Sequence, residues 1–500
     1  MTGQPPRRML HEWFTAGLAM APDRVALRIG RQEWTYAELD DVARRWAGGL
    51  TACGARTVGI LAMRSIESYA GLLATLYAGA TAVPLSPGFP AARTCRMAAM
   101  AGIDTLIADR SAAATLPHLA AALPGLRVAA PAATPLGTLP GAGYDGAAYV
   151  LFTSGSTGRP KGAPVTHANM DSFLRYNLDR YDLGPDDVCS QTFDQTFDLA
   201  MFDLFVAWGA GAAVVSTPPQ VFTALPQFLA SERVTFWFSV PSAIEVVRRR
   251  GGLTPGAMPT LRWSLFCGEA LRLTDAQDWQ RAAPGSIVEN LYGPTELTIA
   301  CSAHRLSDQS AELAVHGVVP IGTPYPHLRY RITEDGADGT EGELCVTGPQ
   351  MFPGYLDTAD DQGRFYDGDG VRWYRTGDRV RQLASAELGY LGRMDRQVKV
   401  RGYRVELDEV EWHVGQLPGV ERAVAVAFEA AGRTELAVFY VGTPGLDIRR
   451  PIASILPGYM VPRLCHDVDA LPHTANGKID RAALAARARD LLAGEQVAHA

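Results

Sequence analysis

The densest set of anion-holding groups in the sequence is the run Thr153-Ser154-Gly155-Ser156-Thr157-Gly158-Arg159-Pro160-Lys161-Gly162. Its glycines let the backbone turn tightly, so that successive N–H groups can converge on one anion, and its hydroxyls and Lys161 add donors and charge. The run directly follows the apolar segment Tyr149-Val150-Leu151-Phe152, which places it at the end of an expected strand. No Gly-Lys-Ser/Thr closes it, which excludes a Walker A loop. A second Gly-rich string, Gly141-Ala142-Gly143-Tyr144-Asp145-Gly146, fits GxGxxG, yet a strand is expected after it, where a dinucleotide site needs a helix. We read it as a plain loop.

The elements that must carry such a loop repeat along residues 55–300 as a short apolar run, a turn and a helical period. Residues 58–63 precede a helix-like 66–78, and 82–85 follow. Residues 234–240 lead through Pro241 into a helix-like 242–249; 261–267 end in Gly268-Glu269, and 287–291 end in Tyr292-Gly293-Pro294. Short buried strands alternating with helices read as parallel β/α architecture, whose ligands sit at the carboxyl ends of the strands. Residues 111–146, rich in Ala, Pro and Gly, read as a surface segment or a weak helix plus loop. After Gly392 the character changes. A charged stretch, 393–404, precedes a helix at 407–417, strands at 422–428 and 435–441, and a final helix capped by Asp480, together a separate α+β domain.

Five hundred residues exceed what one hydrophobic core usually supports, so at least two domains are expected. The hydrophobic fraction of 47% and the charged fraction of 20% are ordinary for a globular chain. A net charge of −7 with no basic stripe argues against nucleic acid. The seven scattered cysteines include no CxxC pair, which argues for reduced thiols and against a disulfide framework or zinc. The pair Arg7-Arg8 is followed by His11-Glu12-Trp13, which breaks any export-signal h-region, and the most apolar stretch, 72–85, is too short to span a bilayer. A cytoplasmic location, with neither a nucleic-acid nor a membrane partner, is expected.

Eight motifs occur in order along nearly the whole chain: the Thr153 loop, Trp34-Thr35-Tyr36-Ala37-Glu38-Leu39, Leu76-Tyr77-Ala78-Gly79-Ala80, Asn290-Leu291-Tyr292-Gly293-Pro294-Thr295-Glu296, Tyr374-Arg375-Thr376-Gly377-Asp378, the stretch from Gly392-Arg393-Met394-Asp395 to Gly402, Leu456-Pro457-Gly458-Tyr459-Met460-Val461-Pro462, and Asn476-Gly477-Lys478-Ile479-Asp480-Arg481. Together they resemble the adenylate-forming superfamily of acyl-CoA synthetases, luciferases and the adenylation domains of nonribosomal peptide synthetases. The resemblance implies an α/β chain with a large N-terminal adenylate-forming domain of parallel β/α subdomains (1–394) and a small mobile α+β C-terminal domain (395–500) hinged at Asp395. ATP would lie on Thr153, Ser154, Gly155, Ser156, Thr157, Gly158 and Lys161, with adenine framed by Gly268, Glu269, Ala270, Asn290, Tyr292 and Gly293. Asp378 would take the ribose hydroxyls, and Arg393 would support the ribose or phosphates. Thr295 would donate to the α-phosphate, and Glu296 would hold Mg2+ against the phosphates. Lys478 would bridge the substrate carboxylate and the α-phosphate, cancelling repulsion between two anions.

The segment Thr196-Phe197-Asp198-Leu199-Ala200-Met201-Phe202-Asp203 resembles the motif of amino-acid-activating members, in which Asp198 pairs with the α-ammonium group. The family's pocket, laid onto this chain, gives Asp198, Leu199, Phe202, Phe238, Leu265, Cys267, Leu291, Ile299, Ala300 and Lys478. Apart from Asp198 and Lys478 it offers no charge, so long polar or charged acids are disfavoured. The pattern is similar to free-standing L-proline ligases, with alanine or valine as the alternative amino acids and an acyl-CoA or aryl-acid ligase as the alternative reaction. The acceptor implied is the phosphopantetheine thiol of a discrete carrier protein, met in trans.

Overall fold

The computed structural model describes residues 6–140, 143–155, 159–334, 337–473 and 479–498. Two units emerge: the first comprises Met1–Pro87, Thr94–Phe152 and Gly162–Met394, and the second comprises Gly88–Arg93, Thr153–Lys161 and Asp395–Ala500.

In the first unit, six parallel strands form the middle of a nine-stranded sheet among the described residues. In spatial order they are Val25–Ile29, Ala213–Ser216, Val188–Gln191, Phe236–Ser239, Trp263–Phe266 and Ile287–Tyr292, with antiparallel strands at both edges. Val, Ile and aromatic residues dominate these strands because both faces are covered, leaving no solvated side to impose alternation. A second sheet pairs Thr57–Leu61, Thr81–Leu85, Thr105–Ala108 and Ala147–Thr153 in parallel. The helix Ile66–Tyr77 is buried from Ser68 to Tyr77 and ties the two sheets together, because Tyr69 Oη bonds both Gln191 Oε1 and Ser216 Oγ at 2.7 Å. The helix Leu199–Gly209 is buried at every position from Leu199 to Trp208, and Trp208 Nε1 donates to Ala26 O at 3.0 Å.

A third sheet, antiparallel, runs from Arg329–Glu334 through Glu341–Thr347, Val371–Gln382 and Leu388–Arg393. The sequence reading did not anticipate it. Its strands carry arginines and glutamates that pair across the ladder, such as Arg381–Glu341 at 2.7 Å and Arg375–Glu343 at 2.6 Å, and these charges mask the apolar period. The strand Ala147–Thr153 does follow the GxGxxG string, as the exclusion of a dinucleotide site requires. Residues 111–146 include the short helix Leu116–Ala122.

In the second unit, the hairpin Gln397–Val400/Tyr403–Glu406 turns through Arg401 and Gly402, both at positive φ (54° and 81°), the two-residue geometry that matches strand twist. The strands Val420–Ala430, Arg433–Gly442 and Leu464–Asp467 form a sheet with both faces covered. Ala425, Val438 and Tyr440 pack with Val410 and Val414 of the helix Leu407–Gly415. Val424, Val426 and Phe439 pack with Leu484 and Ala488 of the helix Arg481–Ala498, whose Ala483 N–H donates to Asp480 Oδ1 at 2.9 Å. All seven cysteines are free, and among the described residues no helix is long and apolar enough to cross a membrane.

Candidate active site

Tyr292 ends Ile287–Tyr292, the outermost of the six parallel strands on one side, and Asp378 lies on Val371–Gln382 of the antiparallel sheet. The fold brings them together. Tyr292 Oη donates to Asp378 Oδ2 at 2.6 Å, and Arg393, the cross-strand partner of Asp378, pairs with Oδ1 at 3.1 Å. Asp378 is only 5% exposed, so its carboxylate is held by two fixed partners in a poorly solvated place. Burial first, and the neighbouring carboxylate second, push the Tyr292 hydroxyl well above its ordinary value, which keeps it a donor at neutral pH. An anchored carboxylate of this kind retains acceptor capacity for a vicinal diol.

Asn290, on the same strand, donates its side-chain N–H to Pro320 O at 2.9 Å and so braces the chain beside the sheet. Gly268 adopts φ +90°, and Glu269 accepts the Ser242 N–H at 2.8 Å at the start of the helix Ser242–Arg249; Ala270 is exposed. Gly293 is sterically required, because a Cβ there would meet Ala300 Cα at 2.6 Å. Thr295 is half-buried and opens the short turn Thr295–Leu297. Glu296 in that turn is 0% exposed and accepts the Tyr355 hydroxyl. Among the described residues no group of three or more His, Cys, Asp or Glu could hold a metal ion. The single carboxylate of Glu296 nonetheless fits Mg2+, which takes one or two carboxylates when phosphates and water fill its remaining positions.

Asp198 sits at the start of the helix Leu199–Gly209 and is 7% exposed. Burial first, and the charge of Asp198 second, push the Tyr149 hydroxyl well above its ordinary value. Leu199, Phe202, Phe238, Leu265, Cys267, Leu291, Ile299 and Ala300 all belong to one buried cluster. Phe238 and Leu265 are register partners on adjacent parallel strands, and the Phe202 and Phe238 rings lie 4.9 Å apart. The other two acidic residues of this region face elsewhere. Asp203 accepts the Thr192 N–H at 3.0 Å, and Asp194 accepts the Thr196 N–H at 2.9 Å, so both hold the loop that leads to Asp198.

Within the second unit, Ser154 Oγ donates to Arg404 O at 2.8 Å and accepts the Glu406 N–H at 3.2 Å. The Gly155 N–H donates to Glu409 at 3.2 Å, and Glu409 also pairs with Arg93 at 2.7 Å. Two donors of the Gly-rich run are therefore engaged by protein groups, while Lys161 is buried and Thr153 half-buried. Asp395 is exposed, and its Oδ1 accepts the Gln397 N–H at 3.2 Å. Ser156, Thr157, Gly158 and Lys478 lie outside the described residues. The sequence reading missed Tyr355, whose signal is the glycine before it: Gly354 takes φ +137°, and a Cβ there would meet the Asp361 carboxylate at 2.7 Å.

The family model for AMP-binding enzymes matches residues 14–356. The chain belongs to the AMP-binding enzyme family. This AMP-binding enzyme is 33% identical to the L-proline–[L-prolyl-carrier protein] ligase of Streptomyces coelicolor, over 90% of this chain and 92% of that one. It spans 45% of the length of one of the first curated relatives it matches and 8% of another. Among solved structures, it is similar to IdnL7, at 45% identity and TM-score 0.73, covering 97% of this chain and 99% of that one. It is also similar to the Vibrio cholerae adenylation domain AlmE in complex with glycyl-adenosine-5'-phosphate, at 27% identity and TM-score 0.87, covering 99% of each chain. These likenesses identify the fold as that of adenylation domains.

Proposed function

We propose that this AMP-binding enzyme uses ATP to activate a compact apolar amino acid, L-proline by preference, as its aminoacyl-adenylate and then transfers the acyl group to the phosphopantetheine thiol of a separate carrier protein. The observation that carries the reading is Asp198, a carboxylate 7% exposed at the start of a helix whose Leu199 and Phe202 belong to the buried apolar cluster. In the amino-acid-activating proteins that the segment 196–203 resembles, this aspartate pairs with the substrate α-ammonium group, which an amino acid supplies and a fatty or aryl acid does not. The proline-ligase relative and the glycyl-adenylate complex of AlmE support the same substrate class.

In the first step a carboxylate oxygen of the amino acid attacks the α-phosphorus; the bond to the bridging oxygen breaks and pyrophosphate leaves with the electron pair. Tyr292, Asp378 and Arg393 would hold the ribose, and Glu296 would hold Mg2+, which neutralises phosphate charge when bound. Lys478, carried by a mobile domain of residues 395–500 that turns about Asp395, would escort the carboxylate to phosphorus. In the second step the thiol sulfur attacks the acyl carbonyl and AMP leaves. Amino-acid-dependent ATP–pyrophosphate exchange, run across the twenty amino acids, tests the proposal. Exchange with L-proline, or failing that L-alanine or L-valine, supports it, and exchange only with fatty or aryl acids overturns it. Lys478→Ala is expected to lose roughly 10²–10³ in adenylation rate, the usual effect of deleting one preorganised cation.

A further inference from the structure

We propose that Gln350 is a positioning residue for substrate selection, acting through the turn 297–300 that ends in Ile299 and Ala300; the functional meaning rests on the amino-acid-activation reading above. Two consecutive residues in this turn, Thr298 and Ile299, take positive φ values of 58° and 73°. Both are β-branched, the side-chain class that tolerates this region least. A turn with no demand on its side chains is ordinarily built from Gly or Asn.

The strained backbone is clamped from both sides. Gln350 is 0% exposed, and its Nε2 donates to Leu297 O at 3.0 Å and to Ala300 O at 2.8 Å, with Thr298 O at 3.4 Å. Its backbone oxygen accepts the Thr298 hydroxyl at 2.6 Å. Because its amide nitrogen faces carbonyls, its Oε1 must face His327 Nε2, and that contact makes His327 the donor. The His327 ring is fixed in turn by Tyr176 and Tyr325, whose centroids lie 5.5 and 6.0 Å away. On the opposite side the turn lies flat on Gly293, where a Cβ would sit 2.7 Å from Ile299 O.

The clamp therefore does two jobs. It keeps Ile299 and Ala300 in the apolar cluster that also holds Leu199, Phe238 and Leu265, and it fixes the residue directly after Glu296. Backbone strain of this kind persists where the surrounding structure over-determines it, and such places cluster at ligand sites.

The test uses Gln350→Met, which keeps length and loses both donors, and His327→Phe, which keeps the ring and loses the bond to Oε1. In ATP–pyrophosphate exchange, Gln350→Met is expected to raise the amino-acid KM by about tenfold or more and to shrink the kcat/KM ratio between L-proline and L-alanine, with the ATP KM changed less than the amino-acid KM. His327→Phe moves the same quantities less. Hydrogen–deuterium exchange of the substrate-free protein reads the clamp directly: the Thr298 and Ala300 amides, bonded to Thr295 O and Thr298 O, should exchange faster in Gln350→Met. Adding Thr298→Gly should recover part of the loss, since glycine carries no left-handed penalty. Unchanged amide exchange, or an unchanged amino-acid KM and selectivity in folded variants, overturns the proposal. If the wild-type enzyme shows no amino-acid-dependent exchange, the activity reading fails while the amide data still judge the clamp.

Discussion

The contact between Tyr292 and Asp378 offers a sharp test of how the nucleotide is held. Tyr292→Phe deletes one oxygen and keeps the ring, so the packing of the ring is retained while the 2.6 Å bond to Asp378 is lost. Asp378 keeps Arg393 at 3.1 Å and stays paired, so the change removes one of two anchors without stranding a buried charge. A hydrogen bond to a charged group contributes about 1.5–3 kcal/mol, which corresponds to roughly 10- to 150-fold. If Asp378 reads the ribose, kcat/KM for ATP should fall by about one to two decades at saturating amino acid, with the amino-acid KM little changed. The assay is ATP–pyrophosphate exchange with ATP titrated, accompanied by a melting curve to verify folding. A variant that melts like the wild type and keeps its ATP KM within about twofold refutes the assignment of this cluster to the nucleotide.

Asp198→Asn should raise the amino-acid KM by at least about 10²-fold, the usual effect of truncating one member of a buried charge pair, and should narrow discrimination against the deaminated acid; competition assays between the two report this. Phe202→Ala should lower the melting temperature, because the ring packs against Phe173, Tyr181, Phe236 and Phe238 at centroid distances of 5.8, 5.8, 6.0 and 4.9 Å, and emptying such a site costs about 3–5 kcal/mol. His167 predicts an acid limb in stability. Its Nδ1 accepts the Leu10 N–H at 3.0 Å, and burial, aided by His11, lowers its pKa from 6.5 to about 4. The unfolded chain therefore binds the extra proton between pH 4 and 6.5, so the stabilisation is fully present above pH 6.5 and is lost as pH falls toward 4. It is on the order of 3 kcal/mol. His167→Asn, which keeps an acceptor and does not titrate, should flatten that limb in melting curves; an unchanged slope would exclude His167 as its source.

The parallel strands and the Gly-rich run were legible because buried β/α units write continuous apolar runs followed by turn residues, as Trp263–Phe266 and Gly268 do. The antiparallel sheet that supplies Asp378 and Arg393 was not, since Val371–Gln382 sets exposed arginines between buried positions that include the polar Thr376 and Asp378, which breaks its apolar signature. Asp198 could be singled out by motif, yet nothing in its spacing separates it from Asp203; only the tertiary contact with the Thr192 N–H assigns Asp203 to the loop. Gln350 was invisible for a related reason. Its partners at 297, 300 and 327 are distant in sequence, and no local pattern records that its amide closes a strained turn.

The helix Leu199–Gly209 has no outward-facing position between Leu199 and Trp208. A segment enclosed all round has no neutral sites on which substitutions can accumulate, so drift toward a new acid must enter there through coordinated exchanges with several neighbouring elements at once. The turn bearing Ile299 and Ala300 is confined as well, by Gln350 on one side and Gly293 on the other, so directed-evolution libraries meant to retune this enzyme should vary it together with residue 350.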